Sequence, residues 1–393
     1  MLKNSNKIGK YTLAKIKVIG VGGGGGNAIT RMNSNFPRAV DLIAINTDVQ
    51  DLNYCNAKKK IHIGEDVTKG LGAGMNPDLG RQAAEESRSE IANSIKGADM
   101  IFITAGFGGG TGTGASPVVA EIARDLGILT IAVVTKPFSF EGSQRNQIAQ
   151  EGIIKLKDKV DTLIVIPNDR IFSLIDKDTS LVKAFEKIDE VLNNSVKGIA
   201  ELIMNPGIIN VDFADVKTVM EEGGSAIIGI GLAGGQERAL NAASQAVNSP
   251  LLETSIEGAK GVLFSISGHR DLKMNEINEI AKLISENVDS NAKIIFGAYN
   301  DRTIKKGKIK VTLIATGFDN ILSRNNNVDG LFSSVGQEPS VASFLLSDDK
   351  KAEEDSEENI GDKEKKKKEK IESKKKSDDI WDIPTFLRRK KGR

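Results

Sequence analysis

Two glycine-rich runs constrain what this chain can fold into more than any other feature. VIGVGGGGGNAI at 18–29 and AGFGGGTGTGASP at 105–117 each follow an apolar, β-rich stretch and precede a helical pattern. Glycine loses more backbone freedom on folding than any other residue, so such runs belong where bare backbone must come close to something. In the first, Gly20-x-Gly22-x-x-Gly25 fits the dinucleotide fingerprint, in which amides at a helix N-terminus meet a pyrophosphate. In the second, a strand from Met100 to Ala105 leads through glycines to a helix after Thr113. Two sets of amides converging on one side of a sheet suit a chain of phosphates better than one pyrophosphate bridge. Thr111 and Thr113 add hydroxyl donors, and a third flexible turn, KGLGAGMNP at 69–77, is placed to close over the end of that chain. No G-x-x-x-x-G-K-[ST] occurs, so phosphate charge falls to amide dipoles and a metal ion.

Around these runs, strand patterns alternate with helical ones. Strands are expected at Leu13 to Val21, Val40 to Asn46, Met100 to Ala105, Ile128 to Thr135 and Thr162 to Ile166, with helices near 27–34, 78–96, 114–126 and 144–157. Such alternation means a parallel sheet covered on both faces. A long amphipathic stretch follows from Ser180 to Met204, with Leu181, Phe185, Ile188, Leu192, Val196, Ile199 and Ile203 at spacings of three and four. It ends at Pro206 and Gly207. Further strands are expected at Ala226 to Leu232, Val262 to Ser267, Lys293 to Tyr299 and Lys308 to Ala315. The fold class is α/β: a Rossmann-like nucleotide-binding domain with a mostly parallel sheet (1–179), a long central helix (180–206) and a second, smaller α/β domain (207–320).

Beyond this, a connecting segment and charged linker cover 321–379. From Ser347 to Asp379 there are eleven Lys and thirteen Asp or Glu, with Ala352, Ile360 and Ile371 the only apolar side chains, too few to form a core. The final IWDIPTFLRRKKGR (380–393) sets Trp381 among Ile380, Ile383, Phe386 and Leu387 ahead of five cations. An apolar cluster kept at the end of a disordered tether reads as a peptide that orders in a partner's groove.

Composition removes other classes. With Lys+Arg 54 against Asp+Glu 53, global charge points to no nucleic-acid partner. One cysteine, Cys55, excludes an internal disulfide framework and makes a reducing cytosol the simplest home. His62 and His269 lie far apart in sequence, and no side-chain cluster is assigned to a metal. No apolar run approaches the roughly 20 residues that span a bilayer, and the N-terminus lacks the apolar core of a signal peptide.

The stretch GGGTGTG at 108–114 resembles the signature loop of the tubulin/FtsZ GTPase superfamily, and its surroundings are similar to the bacterial cell-division members. The agreement runs in order through GVGGGGGNA, NTD at 46–48, GLGAGMNPDLG, GFGGGTGTG, TKPFSFEG followed by Arg145, NVDFADVKTVM and the tail DIPTFLRR. It covers about Ile16 to Gly317 plus the tail. The resemblance implies GTP as substrate with Mg2+. It also implies that Gly22, Gly23, Gly24, Gly25, Gly26, Gly109, Gly110, Thr111, Gly112 and Thr113 hold the phosphates. Glu141 and Arg145 would touch the ribose side, and Asn27, Phe185 and Asp189 would recognise guanine. A carboxylate accepts from the N1 and exocyclic amino hydrogens of guanine, which adenine does not present, and an aromatic ring stacks. From spacing alone Phe185 belongs to the apolar stripe of its helix, and Arg145 is a solvated helix residue. The tail from Asp382 to Arg389 would dock on membrane-anchoring division proteins of FtsA or ZipA type, beside other division regulators. The protein would then assemble at the inner face of the membrane at the division site.

None of the glycine loops carries a side chain able to orient a nucleophilic water. The candidate is NVDFAD, where Asp212 and Asp215 stand i and i+3 with Asn210 just before them. Ordinary helix capping uses the same residues. If Asp189 binds the base, the helix carries this loop up to about 30 Å away at 1.5 Å per residue, farther than a bound triphosphate reaches. Asp212 and Asp215 would then serve the nucleotide of a subunit stacked head to tail, a heterologous contact that builds a filament. Two other readings stay open. One is a dinucleotide-dependent oxidoreductase with Asp41 or Asp48 as ribose partner, and the other is a non-hydrolysing nucleotide-binding scaffold that presents its tail.

Overall fold

The computed structural model describes residues 14–318 apart from 177, 206, 253 and 302. The start of the expected first strand at Leu13, the helix-ending Pro206, the linker and the peptide 380–393 with Trp381 lie outside the described residues.

The first half alternates strands with helices. Its elements are β1 (Ile16–Val21), α1 (Gly22–Asn35), β2 (Asp41–Asn46), α2 (Val49–Tyr54), β3 (Lys59–His62), α3 (Glu65–Thr68), α4 (Pro77–Glu86) and α5 (Arg88–Ile95). They continue with β4 (Met100–Gly106), α6 (Gly110–Asp125), β5 (Leu129–Lys136), α7 (Ser143–Lys157) and β6 (Thr162–Pro167). A long helix, α8 (Leu181–Met204), leads into α9 (Phe213–Met220), β7 (Gly224–Gly234), α10 (Arg238–Val247), β8 (Gly261–Gly268), α11 (Met274–Glu286), β9 (Lys293–Asn300) and β10 (Lys308–Thr316).

The strands form one run of ten, ordered β3-β2-β1-β4-β5-β6-β7-β10-β8-β9. Every neighbouring pair is parallel except the two that involve β10. Strand β7 joins the halves: Gly224 to Ala226 pair with β6, and Ile227 to Gly234 pair with β10. Side chains alternate across a strand, and here each face finds its own core. Val18, Met100, Phe102, Ile131 and Val133 face α1 and α8, whereas Ile19, Ile101, Ile103, Ala132 and Val134 face α4 to α7. Both faces being covered explains why the strands read as continuous apolar runs.

The apolar stripe of α8 (Ile188, Leu192, Val196, Ile199) lies in a core shared with Phe138 and Ile164 of the first half and Ile228, Leu263 and Ile314 of the second. The opposite face of the second half's strands, with Phe264, Val311 and Leu313, packs on α10 and α11.

Three expectations shift. Helices α1 and α6 begin on their glycines, at Gly22 and Gly110, several residues ahead of the predicted starts. The predicted helix 78–96 is two helices broken at Ser87, whose Oγ accepts from Gly64 N. Strand β3 went unread because only Ile61 of its four residues is fully buried, leaving no periodicity to see.

Candidate functional site

Parallel strands deliver their C-terminal ends to one edge of the sheet, and both glycine runs open there. β1 passes directly into α1, and β4 into α6 through Phe107 to Gly109. Gly22, the first residue of α1, has φ +70°, a left-handed conformation that strains any residue with a Cβ. A Cβ there would stand 2.9 Å from Gly112 N, so the two glycine turns touch. The N-cap positions of α1 and α6, Val21 and Gly109, supply no side-chain cap, whereas Asp48 caps α2 and Asn76 caps α4. Helix N-termini left without a side-chain cap, at the positive end of the helix dipole, make an anion site. The third turn joins them, since Gly110 N donates to Gly74 O at 2.6 Å.

These turns bound a cavity of about 400 Å³. Of the expected phosphate residues, Gly23, Gly24, Gly109, Gly110, Thr111 and Gly112 line it, together with Gly74 and Gly106. Gly22, Gly25, Gly26 and Thr113 do not, for local reasons. Gly22 packs on Gly112, and a Cβ on Gly25 would meet Thr104 O at 2.5 Å, so Gly25 lets α1 lie against β4. Gly26 faces Cys55, and Thr113 Oγ1 accepts from Gly108 N at 2.9 Å, holding the second loop's shape. Thr111 Oγ1 is 2.7 Å from Thr47 Oγ1, tying that loop to the end of β2.

At the other end of the cavity stand Asn27, Glu141, Arg145, Phe185 and Asp189. Glu141 accepts from Phe138 N at 2.9 Å and bonds Arg145, so these two charges hold each other. Phe185 is 43 % exposed although its spacing belongs to the core stripe. It meets the fully buried Phe138 edge-on at 5.7 Å, and Phe140 and Phe172 pack on the same ring. The Asp189 side chain is 17 % exposed, and Arg31 lies 3.5 Å away. Burial pushes the Asp189 carboxyl up to about 6, with Arg31 opposing the shift and Glu186 adding to it.

Three lining or flanking groups were not singled out from the sequence. Asn168 lines the cavity with its Oδ1 buried and without a partner among the described residues, an acceptor that a ligand N–H or O–H would satisfy. Its signal is the polar pair Asn168 and Asp169 directly after β6. Arg31 falls one helical turn after Asn27, on the same face of α1. Asp51 has Oδ2 3.1 Å from where a Cβ on Gly23 would stand, and it accepts from Asn46 Nδ2 at 2.7 Å. Burial first, then Asp48, raise its pKa.

Asn210, Asp212 and Asp215 are absent from the cavity lining. They stand beyond the C-terminal end of α8, all three exposed. Asp212 caps α9 by accepting from Asp215 N at 2.8 Å, and Asn210 Oδ1 accepts from Gly207 N at 2.6 Å. Among the described residues neither aspartate has an ion-pair partner, which leaves both carboxylates facing solvent. No helix among the described residues is long and apolar enough to cross a membrane.

Comparison with known proteins bears on the fold and the family. The family model for the GTPase domain of the Tubulin/FtsZ family matches residues 15–176, and that for the C-terminal domain of the FtsZ family matches 224–319. An empty FtsZ dimer from M. jannaschii is 49% identical, with TM-score 0.76, over 78% of this chain and 89% of that one. The protofilament of CetZ2 from Haloferax volcanii, solved with GTPgS bound, shares the fold at 22% identity and TM-score 0.68, over 81% of this chain and 99% of that one. With both domain models matched in order and a solved relative 49% identical over 78% of the chain, the chain belongs to the Tubulin/FtsZ family of GTPases.

Proposed function

We propose that this protein is a self-assembling GTPase whose subunits stack head to tail, each completing the hydrolytic site of its neighbour with Asn210, Asp212 and Asp215. The observation that carries the reading is the separation of binding groups from candidate catalytic groups along one rigid helix. Phe185 and Asp189 stand in the first turns of α8, and the Asn210 to Asp215 loop follows its far end. From Asp189 to Met204 the helix rises about 22 Å. The phosphate end of the cavity is lined by glycines and the hydroxyls of Thr111 and Thr135, with no carboxylate or imidazole in that lining, and the carboxylates beside the first loop are engaged, Asp48 by Gln50 N and Asp51 N and Asp51 by Asn46. The two exposed aspartates provide that chemistry for a second copy, and a contact between different faces of identical subunits extends into a filament.

In this reading the amides of α1 and α6 hold the phosphates, Phe185 stacks on the base, and Asp189 accepts its two N–H hydrogens. Mg2+ is commonly held by substrate phosphates with one or two carboxylates; Asp48 and Asp51, beside the first loop, would hold it there, and it would neutralise phosphate charge. Filaments of this kind would form the division ring, with the segment 380–393 as the link to membrane-anchoring proteins of FtsA or ZipA type, as the resemblance implies.

The test is turnover by variants. Asp212→Ala and Asp215→Ala are expected to lose GTP hydrolysis while binding GTP with unchanged affinity. Mixing either with a variant crippled in its phosphate loops should recover part of the activity, because each supplies what the other lacks. Weakened GTP binding by the aspartate variants, or no recovery in the mixture, would overturn the assignment.

A further inference from the structure

Asp189 is poorly placed to be charged on its own. Its side chain is 17 % exposed, it lies next to the buried Ile188 and Leu192, and Glu186 on the same helix repels it. A buried carboxyl tends toward its neutral form, which presents one acceptor and one donor instead of two acceptors. Guanine offers two donors on this edge, so a neutral Asp189 would lose one hydrogen bond and face a like donor with the other.

Arg31 stands behind this carboxylate. It lies one turn along α1 from Asn27, does not line the cavity itself, and brings Nη2 to 3.5 Å from Asp189 Oδ2. Its buried Nε has no hydrogen-bond partner among the described residues, so that side of the guanidinium is not held by a competing acceptor. Other charged groups around the base end are already engaged: Glu141 with Arg145, Asp169 with Ser139, and Lys187 with Glu190.

We propose that Arg31 is the positioning residue for base recognition, holding Asp189 as an oriented carboxylate so that the cleft selects guanine over adenine. The inference rests on the reading that Asp189 receives the base. Arg31 acts through Asp189 from outside the cavity lining. Removing it leaves a carboxyl that neutralises at higher pH, and an opposite charge at this range is worth a shift of about one unit or more. A protonated Asp189 can donate to N1 of adenine, so selectivity for guanine is lost as the carboxylate is protonated.

The experiment measures the ratio of GDP to ADP affinity from pH 5.5 to 8.5, by competition against a fluorescent GDP analogue on the full chain. Titration of the phosphates is common to both ligands and cancels in the ratio. In the wild type the ratio should be flat above pH 7 and fall as pH drops through about 6, the value to which Asp189 is raised. In Arg31→Ala the fall should begin about one unit higher or more. Arg31→Lys, which keeps the charge, should stay near the wild type, and Arg31→Gln replaces the alanine variant if circular dichroism shows the latter unfolded. A ratio whose midpoint does not move in either neutral variant, with affinity lowered evenly at every pH, would mean a structural role and overturn the proposal. Asp189→Asn separates the two readings. If it leaves the ratio unchanged at every pH, the base assignment itself fails; if it flattens the ratio while Arg31→Ala does nothing, only the role of Arg31 fails.

Discussion

Arg238 shows how much can rest on one side chain that no motif marks. It is 5 % exposed, and its guanidinium donates to Glu276 Oε1 at 2.6 Å, Asp271 Oδ2 at 2.7 Å and Asp271 O at 2.8 Å. It thereby ties α10 to the loop after β8 and to the first turn of α11. The hydrogen bonds from Arg238 hold both carboxyls below their usual range. Carboxylates lowered on folding stabilise the protein above their unfolded pKa of about 4, and that contribution drains away as pH falls through the lowered folded values. Arg238→Ala leaves two carboxylates without their cation and should cost about 3 kcal/mol of stability at pH 7, read from urea unfolding. The variant should also lose less stability on acidification than the wild type, because its carboxylates no longer gain from folding. Nothing in the sequence marks this clamp, whose partners stand 33 and 38 residues along the chain. The aspartates of NVDFAD, by contrast, were legible at once, since capping and their i, i+3 spacing are both local.

Among elements, the two helices at the cavity begin where propensity says they should not. Glycine is nearly the worst helix former, so the periodic signal starts only after the glycine run, and the first turns of α1 and α6 were read as loop. The sheet overrides propensity because α1 must lie within contact of β4. Gly25→Ala puts a methyl 2.5 Å from Thr104 O, backbone that cannot yield, and should destabilise by about 1–3 kcal/mol and weaken nucleotide binding by moving α1. Gly26→Ala is the control. Its methyl meets Cys55 at ordinary contact distance, Sγ at 3.7 Å and Cβ at 3.9 Å, and stability should hold or rise by about 0.5–1 kcal/mol from better helix propensity. Thermal unfolding of the two side by side decides it, and equal losses would show that close approach is not the cause. Helix α8 was legible from its stripe, yet the stripe placed Phe185 in the core. Periodicity reports which face is apolar, not whether a cavity opens against its end.

For the molecule as a whole, the cavity and the exposed aspartates lie toward opposite ends of α8, and each end carries exposed apolar residues. Leu71, Phe140, Phe172 and Val182 are 83, 64, 54 and 69 % exposed near the cleft, and Ile208 is 65 % exposed beside Asn210. Exposed apolar groups on two different faces suit a heterologous contact. GTP should therefore drive the protein into sedimenting polymer, GDP should not, and turnover per subunit should climb steeply with protein concentration. A turnover per subunit independent of concentration would mean that each chain hydrolyses alone. The relatives come from M. jannaschii and Haloferax volcanii, so the comparison supports the family without placing the chain in a bacterium. By itself the sequence determined the α/β alternation, the two glycine turns between strand and helix, the long central helix and the residues that carry the family resemblance. Each of these is written in spacings of two to four residues or in contiguous runs, within reach of local sterics and hydrogen bonding. Only the tertiary structure decided that β7 passes from β6 to β10, that Gly25 and Thr113 shape the loops from outside the cavity, and that Arg31 on α1 meets Asp189 on α8. Those outcomes depend on helix rotation and strand register across a shared core, where the partners are far apart in sequence and no local period records the pairing.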